Sequence, residues 1–552
     1  MIEPKPLPSR HIHRLASLAR WSLRLVLGLW LILALIWGVL QFWIVPRINE
    51  WRPELESLAS RTLGVPVSIG RLHAYRSGLV PTFELGDVVL HDPANKSEAL
   101  LLPKVVVAVS AHSLMTLGVE QIYLEGPDLT VRRDADGQIF VAGIAVSSDP
   151  GHGGDSDWIF SQPEIAIRSG KLQWVDELRH AAPLQLQDVD LVLRNKRWHH
   201  SLRLDATPPE GWGQRFTVMG NFKEPLLSVH EGRLERWSGQ AYLDFTHIDL
   251  SHLGQYLGPQ DWKLQQGKGS VRAWLDVERG QPVGGVADVA VQALQLQWRD
   301  RPEPLALQAL RGRLRAKNQN GYQFSVQGLQ FTADDGLSWP RGDFSLRYVP
   351  TGASEQGSQG EHGDVQADGI DLAIAAQMLQ RLPLPQAVQT QLKALAPAGQ
   401  LSDLKLSWRG PLQQLAQYKA SGRFEQLGLR SQASQEGPHS IGIPGVRGLS
   451  GKFSLDQDSG EATLTKAPAA NQAMLSFPGV FEDPDIPFDQ LDSLVRWQLL
   501  DKGRTIKVQV PRLRFANEDT AGQAQASWQS GAGTKEQPRF PGLLDLQGQL
   551  SR

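Results

Sequence analysis

Gly170-Lys-Leu-Gln-Trp-Val175 decides the fold class. Successive side chains of an extended chain point to opposite faces, so Leu172 and Trp174 share one side, Lys171 and Gln173 the other. An antiparallel sheet with one dry and one wet face wants this alternation. The phrase, opened by glycine and usually a basic residue, recurs at Gly232-Arg-Leu-Glu-Arg236, Gly269-Ser-Val-Arg-Ala-Trp-Leu275, Gly312-Arg-Leu-Arg-Ala316, Gly342-Asp-Phe-Ser-Leu-Arg347, Gly422-Arg-Phe-Glu425 and Gly451-Lys-Phe-Ser-Leu455. Further same-side sets are Leu191 with Leu193, Leu294 with Leu296 and Trp298, Phe324 with Val326, Leu406 with Trp408, and Phe453 with Leu455. Asp128-Leu-Thr-Val-Arg132 and Gln138-Ile-Phe-Val-Ala142 flank Asp134-Ala-Asp-Gly137, whose turn chemistry makes a hairpin.

The same alternation is absent near the N-terminus. Leu25 to Leu40 reads LVLGLWLILALIWGVL without a charge. With its flanks it gives about 20–25 residues, enough at 1.5 Å each to cross a hydrocarbon core of about 30 Å. Arg10, Arg14, Arg20 and Arg24 precede it, and Arg47 and Arg52 mix with Glu50, Glu54 and Glu56 after it. The positive-inside rule then places the N-terminus in the cytoplasm and the body outside. Trp21, Leu25, Trp30, Trp37, Leu40 and Trp43 mark this anchor. A cleaved signal peptide would have a shorter apolar region and a small-residue cleavage site; QFWIVPRINEW offers none. Pro46 opens a predicted helix with Ile48, Trp51, Leu55, Leu58 and Leu63 on one face, ended by Gly64.

With 552 residues the chain exceeds one compact core, so it forms several units or extends along one axis. A net charge of −2 gives no support for nucleic-acid binding. The absence of cysteine removes disulfides, zinc–thiolate sites and cysteine nucleophiles together. One longer repeat is visible. Ile248-Asp-Leu250 followed by Tyr256-Leu257 and Trp274 parallels Ile370-Asp-Leu372 followed by Met378-Leu379 and Trp408, the pattern of an elongated body whose repeats contact their neighbours. Polar, glycine-rich loops are expected at 147–157, 351–363, 431–439 and 529–537. Leu543 to Leu550 alternates as a strand up to the end of the sequence. An open strand edge is a hazard, so the expectation is a longer protein or a partner that continues the sheet.

Arg61-Thr-Leu-Gly-Val-Pro-Val-Ser-Ile-Gly-Arg71 with Pro81-Thr-Phe-Glu-Leu-Gly-Asp-Val-Val-Leu90 resembles the start of AsmA-like proteins of the YhdP type. Leu124-Glu-Gly-Pro-Asp-Leu-Thr-Val-Arg132 with Asp136-Gly137 and Val141-Ala-Gly143 is similar to the next signature, and Leu395 to Trp408 to a third. The resemblance implies an inner-membrane protein of a diderm bacterium with a periplasmic body. It also implies a curled β-groove related to bridge-like lipid-transfer proteins, along which phospholipid passes towards the outer membrane and maintains its lipid homeostasis. Members of this type are roughly twice as long, so the sequence would be their amino-terminal portion.

The expected fold is therefore mainly β with a few helices: one transmembrane helix, then an elongated, curled antiparallel sheet forming a groove with helical insertions. Expected segments are a cytoplasmic tail (1–20), the anchor (21–45), a helix and AsmA-like β start (46–146), and groove repeats at 158–350 and 364–552. Each acyl CH₂ costs about 0.8 kcal/mol to expose to water, and an apolar trough removes that barrier. Groove candidates are the same-side residues named above: Leu172, Trp174, Leu191, Leu193, Leu294, Leu296, Trp298, Phe324, Val326, Leu406, Trp408, Phe453 and Leu455. Alternation alone equally builds a sandwich whose dry face is packed by a second sheet; the resemblance, length, anchor and repeat favour the groove. The alternative function is an anchored envelope scaffold, or an outer-membrane protein assembly factor, that carries no lipid.

Catalytic chemistry is not expected, and neither is a cofactor or metal. Gly445 to Lys452 has the wrong glycine spacing for a phosphate loop, and Gly448-Leu-Ser-Gly451 is not a nucleophile elbow. Asp134 to Gly137 lacks the remaining ligands of a calcium loop. His199 and His200 would point to opposite faces of a strand. Expected partners are phospholipid, the inner membrane, and outer-membrane or periplasmic proteins at the far end.

Overall fold

The apolar run near the N-terminus can satisfy its backbone only internally, and it forms a helix over Arg10–Val39 in a computed structural model of the chain. The structure describes residues 10–39, 42–43, 45–77, 80–91, 98–108, 119–141, 144–145, 160, 162–196, 198–225, 236–257, 262–299, 301, 303–351, 360–411, 416–433, 442–531 and 542–551. The expected loop at 147–157, the greater part of those at 351–363, 431–439 and 529–537, and Leu40 of the anchor lie outside them; Gln529 itself closes a strand. Ala19–Val39 is long and apolar enough to cross a membrane, with a mean hydropathy of 2.1 and no burial. Trp21, Leu25, Trp30, Trp37 and Trp43 are exposed. Trp43 meets Trp51 edge-to-face with ring centroids 6.5 Å apart.

The helix predicted from Pro46 is divided. A 3₁₀ segment covers Val45–Trp51, with a kink at Arg47, and an α-helix covers Arg52–Leu63, closed by Gly64 at φ 71°. Pro53 suits a first turn and no later position, so the α-helix begins there. Leu55, Ala59 and Leu63 pack on the sheet, whereas Leu58 is exposed and does not belong to the packed face.

The chain divides into two compact units, Met1–Leu243 with Val277–Gln281, and Asp244–Asp276 with Pro282–Arg552. Both are β, and among the described residues neither sheet edge is closed. Val67–Ser77 pairs only with Val80–His91, and Leu543–Leu550 pairs only with Ala521–Gln529. Each unit's sheet is thus open rather than a barrel.

In the first unit, the helix Arg52–Leu63 covers the edge strand Val67–Ser77. Glu56 Oε1 accepts from the Ile69 amide at 2.7 Å, and Ser60 Oγ from the Val67 amide at 2.8 Å. The predicted hairpin forms: Asp128–Arg133 pairs with Ile139–Val141, and Asp134 Oδ1 accepts from the Asp136 and Gln138 amides. Gln121–Glu125 and Asp128–Arg133 both run parallel to Glu164–Asp176, the described departures from antiparallel pairing.

In the second unit, strands from Gln281–Trp298 to Leu543–Leu550 pair antiparallel, with two insertions. Helices Leu372–Arg381 and Gln386–Leu395 follow Ile370–Asp371. A small hairpin, Ala473–Ser476 with Asp485–Phe488, docks beside Gly445–Asp456. The two Ile-Asp-Leu stretches share a local cap. Asp249 caps the short helix Leu250–His252 and Asp371 caps Leu372–Arg381, each accepting a backbone amide. Gly445–Asp456 is a strand, which removes any phosphate-loop geometry there.

Strict alternation is interrupted in mid-strand by left-handed residues: Ser169, Asp188, Ala293, Asp403 and Gln426 have φ between 47° and 52°. Such a residue bends a strand and switches which parity faces a given side. The effect is visible at Ala293: Val291 and Leu294, three apart, both lie against Gly267. The dry face therefore continues through each bend instead of turning over.

Candidate functional site: the apolar sheet face

Cross-strand register shows what each side of the second unit presents. Gly285 opposes Ala316, followed strand by strand by Phe324, Leu346, Val365, Leu406, Ala420 and Leu455. The row continues through Gly460, Trp497, Val508 and Trp528 to Leu544. It holds no polar side chain. One residue along, the opposite side reads Arg315, Ser325, Ser345, Gln366, Lys405, Ser421, Ser454, Glu461, Arg496, Gln509, Ser527 and Asp545. That side carries exposed cross-strand ion pairs, among them Arg496–Glu461 at 2.6 Å and Arg512–Asp492 at 3.0 Å. Each contributes under about 1 kcal/mol, so they keep the side wet more than they hold the fold.

Glycines let aromatic rings lie flat along the row. A Cβ at Gly363 would sit inside the Trp408 ring, and one at Gly460 inside the Trp497 ring.

The dry face has covered and open parts. Ile374 and Met378 of the inserted helix Leu372–Arg381 pack with Leu294, Leu307 and Phe331. Arg301 Nη1 donates to the Gln380 carbonyl at 2.8 Å and ties that helix down. The small hairpin covers Phe424 and Leu449 with Leu475, Ile486 and Phe488. Away from these covers the face is uncovered: Phe324 is 39% exposed and Tyr322 54%.

The predicted groove residues fall into three groups. Leu193, Val326 and Trp408 are buried. Leu172, Leu191, Leu294 and Phe453 are partly buried and packed into core clusters. Phe324 is exposed, and Trp174, Leu296, Trp298, Leu406 and Leu455 are half-buried. Phe324, Leu406 and Leu455 stand in the uninterrupted row, and Trp408 stands one step along its strand from Leu406. Trp497 and Trp528 belong to the row but were missed from sequence. Trp497 alternates with Val495 and Leu499 around Arg496 and Gln498, a period-2 signal present in the sequence.

The first unit repeats the arrangement. Ile165 opposes Leu193, which opposes Leu202; Ile167, Leu191 and Leu204 form the next row. At the strand ends the apolar side meets a buried polar cluster. His200 stacks on Trp237 with centroids 4.2 Å apart, and its Nδ1 lies 2.7 Å from Asn195 Oδ1. Trp237 Nε1 donates to Glu224 Oε1 at 2.8 Å. Burial first, and the charge of His199 second, push the His200 pKa down to about 4. His199 is exposed while His200 is buried, so the pair does divide between faces. Among the described residues no group of His, Cys, Asp and Glu could hold a metal ion, and no arrangement there points to catalysis.

These features define a class: a mainly β protein with an apolar helix ahead of an open sheet that is dry on one side and wet on the other. The chain belongs to the YhdP family, whose model, described as "YhdP protein", matches residues 1–552. It is 23% identical over 457 residues to the "Intermembrane phospholipid transporter YhdP" of Escherichia coli (strain K12). That match covers 80% of this chain and 33% of the relative, so the chain spans about a third of the length of the curated relative. No solved structure matches the chain.

Proposed function

We propose that this chain is a non-enzymatic segment of a phospholipid conduit, anchored by Ala19–Val39 in the inner membrane with its body in the periplasm. The arginines before the anchor favour a cytoplasmic N-terminus. Outer-membrane or periplasmic proteins would receive the lipid at the far end. The segment boundaries given by the sequence (1–20, 21–45, 46–146, 158–350 and 364–552) serve as the working division of the chain. One observation carries the reading: the unbroken apolar row from Ala316 to Leu544. An acyl chain leaving it for water would lose about 0.8 kcal/mol per CH₂. Sliding along it exchanges one apolar neighbour for another, with no desolvated polar group on the way, while the headgroup stays in water. In the second unit Phe324, Leu406, Leu455, Leu296 and Trp298 line the proposed path, and in the first unit Trp174 lines its apolar side.

Photo-crosslinkers placed at Val365, Leu406 and Trp497 test this in cells. Phospholipid adducts are expected at these positions and not at Gln366, Lys405 or Arg496 on the other side. Equal yields on both sides, or none on either, would refute the conduit.

A further inference from the structure

One step along the strands from the apolar row, towards the strand ends, stands a line of amphipathic aromatics. Tyr322 opposes Tyr348, which opposes Gly363, then Trp408 and Tyr418. The Tyr322 and Tyr348 rings are 6.4 Å apart and inclined by 14°. The Trp408 ring lies over Gly363, bridging the strand that has no side chain there. The Tyr348 hydroxyl hydrogen-bonds Glu361, which holds the tyrosine pKa above its ordinary value and fixes a carboxylate at the end of the line.

Charge on this line is one-sided. Lys317, Arg347 and Lys419, one residue along from the line, alternate to the opposite side, in register with Gln323, Asp364 and Ser407. At these registers the apolar side offers the Tyr322, Tyr348 and Tyr418 rings and the Glu361 carboxylate, beside the Asn318 amide, while Trp408 is buried. A π-face attracts a cation within about 6 Å of its centroid, and a carboxylate attracts it further. Neither attracts a headgroup that is only anionic. The separation also suits a lipid: two residues along a strand are about 6.5 Å, so tails on the Phe324–Leu346–Val365–Leu406 row leave the headgroup at the aromatic line.

We propose that Tyr322, Tyr348 and Tyr418, beside the buried Trp408, form with Glu361 a headgroup site selecting phospholipids that carry an ammonium group over purely anionic ones. This rests on the conduit reading and adds its substrate class.

The test uses the full detergent-solubilised chain, incubated with vesicles of equal phosphatidylethanolamine and phosphatidylglycerol and re-isolated. Bound lipids are then counted by mass spectrometry. The expected result is at least a threefold enrichment of phosphatidylethanolamine. It should fall towards parity in Glu361→Gln and in Tyr322→Leu, with total bound phospholipid unchanged. Parity in the unaltered chain, or enrichment that survives both substitutions, would overturn the headgroup site and leave the conduit standing. No bound phospholipid of either kind would overturn both.

Discussion

Leu406→Glu lowers the phospholipid bound by the purified chain at least tenfold, whereas Lys405→Glu leaves it within twofold. Leu406 stands in the middle of the apolar row, between Val365 and Ala420. A carboxylate there remains hydrated while the face is empty but must lose water when an acyl chain covers it. Desolvating an unpaired carboxylate costs several kcal/mol, and each 1.4 kcal/mol is a factor of ten. Lys405 lies on the wet side opposite Gln366 and Ser421, where a charge is already accommodated. Lipid extraction with mass spectrometry measures the effect, and unchanged circular dichroism shows that the strand still pairs. Full lipid loading of Leu406→Glu would mean that acyl chains do not use this row.

The second large effect is a loss of stability on acidification, traceable to His200. Its pKa is pushed down to about 4 in the folded chain, against about 6.5 unfolded. Above pH 6.5 both states are neutral and stability is full. Below it the unfolded chain takes up a proton that the folded chain refuses, so stability falls as pH drops towards 4. At 1.36 kcal/mol per pH unit the total approaches about 3 kcal/mol. The groups facing His200 are Asn195 at 2.7 Å, Glu224 at 3.7 Å and the stacked Trp237. Unfolding free energies of the solubilised chain between pH 7.5 and 4.5 should therefore drop more steeply than those of His200→Phe. Parallel curves would assign the acid sensitivity to other groups.

What could be read from the sequence, and what could not, separates along physical lines. Period-2 alternation reports which side a residue takes, and it placed Phe324, Leu406 and Leu455 on one face. The turn at Asp134–Gly137 was legible because local chemistry sets it. Alternation says nothing of what lies over a side chain. Leu294 and Phe453 look like Leu406 in sequence, yet an inserted helix and a hairpin distant in the chain cover their neighbourhoods. Bends at Ala293 and Gln426 were also hidden, since neither residue type announces a left-handed backbone. The aromatic line was missed for another reason: Tyr322, Tyr348, Trp408 and Tyr418 sit on separate strands, and only register brings them together.

A conduit requires that the apolar row be open to acyl chains rather than filled by protein. The chain contains no cysteine, so single cysteines at Leu406 and Lys405 can each carry a nitroxide without background. Electron paramagnetic resonance with phospholipid spin-labelled on its acyl chain then reports contact directly. Strong broadening at Leu406 with none at Lys405 is the predicted result; a spectrum at Leu406 that is immobile and indifferent to added lipid would contradict it.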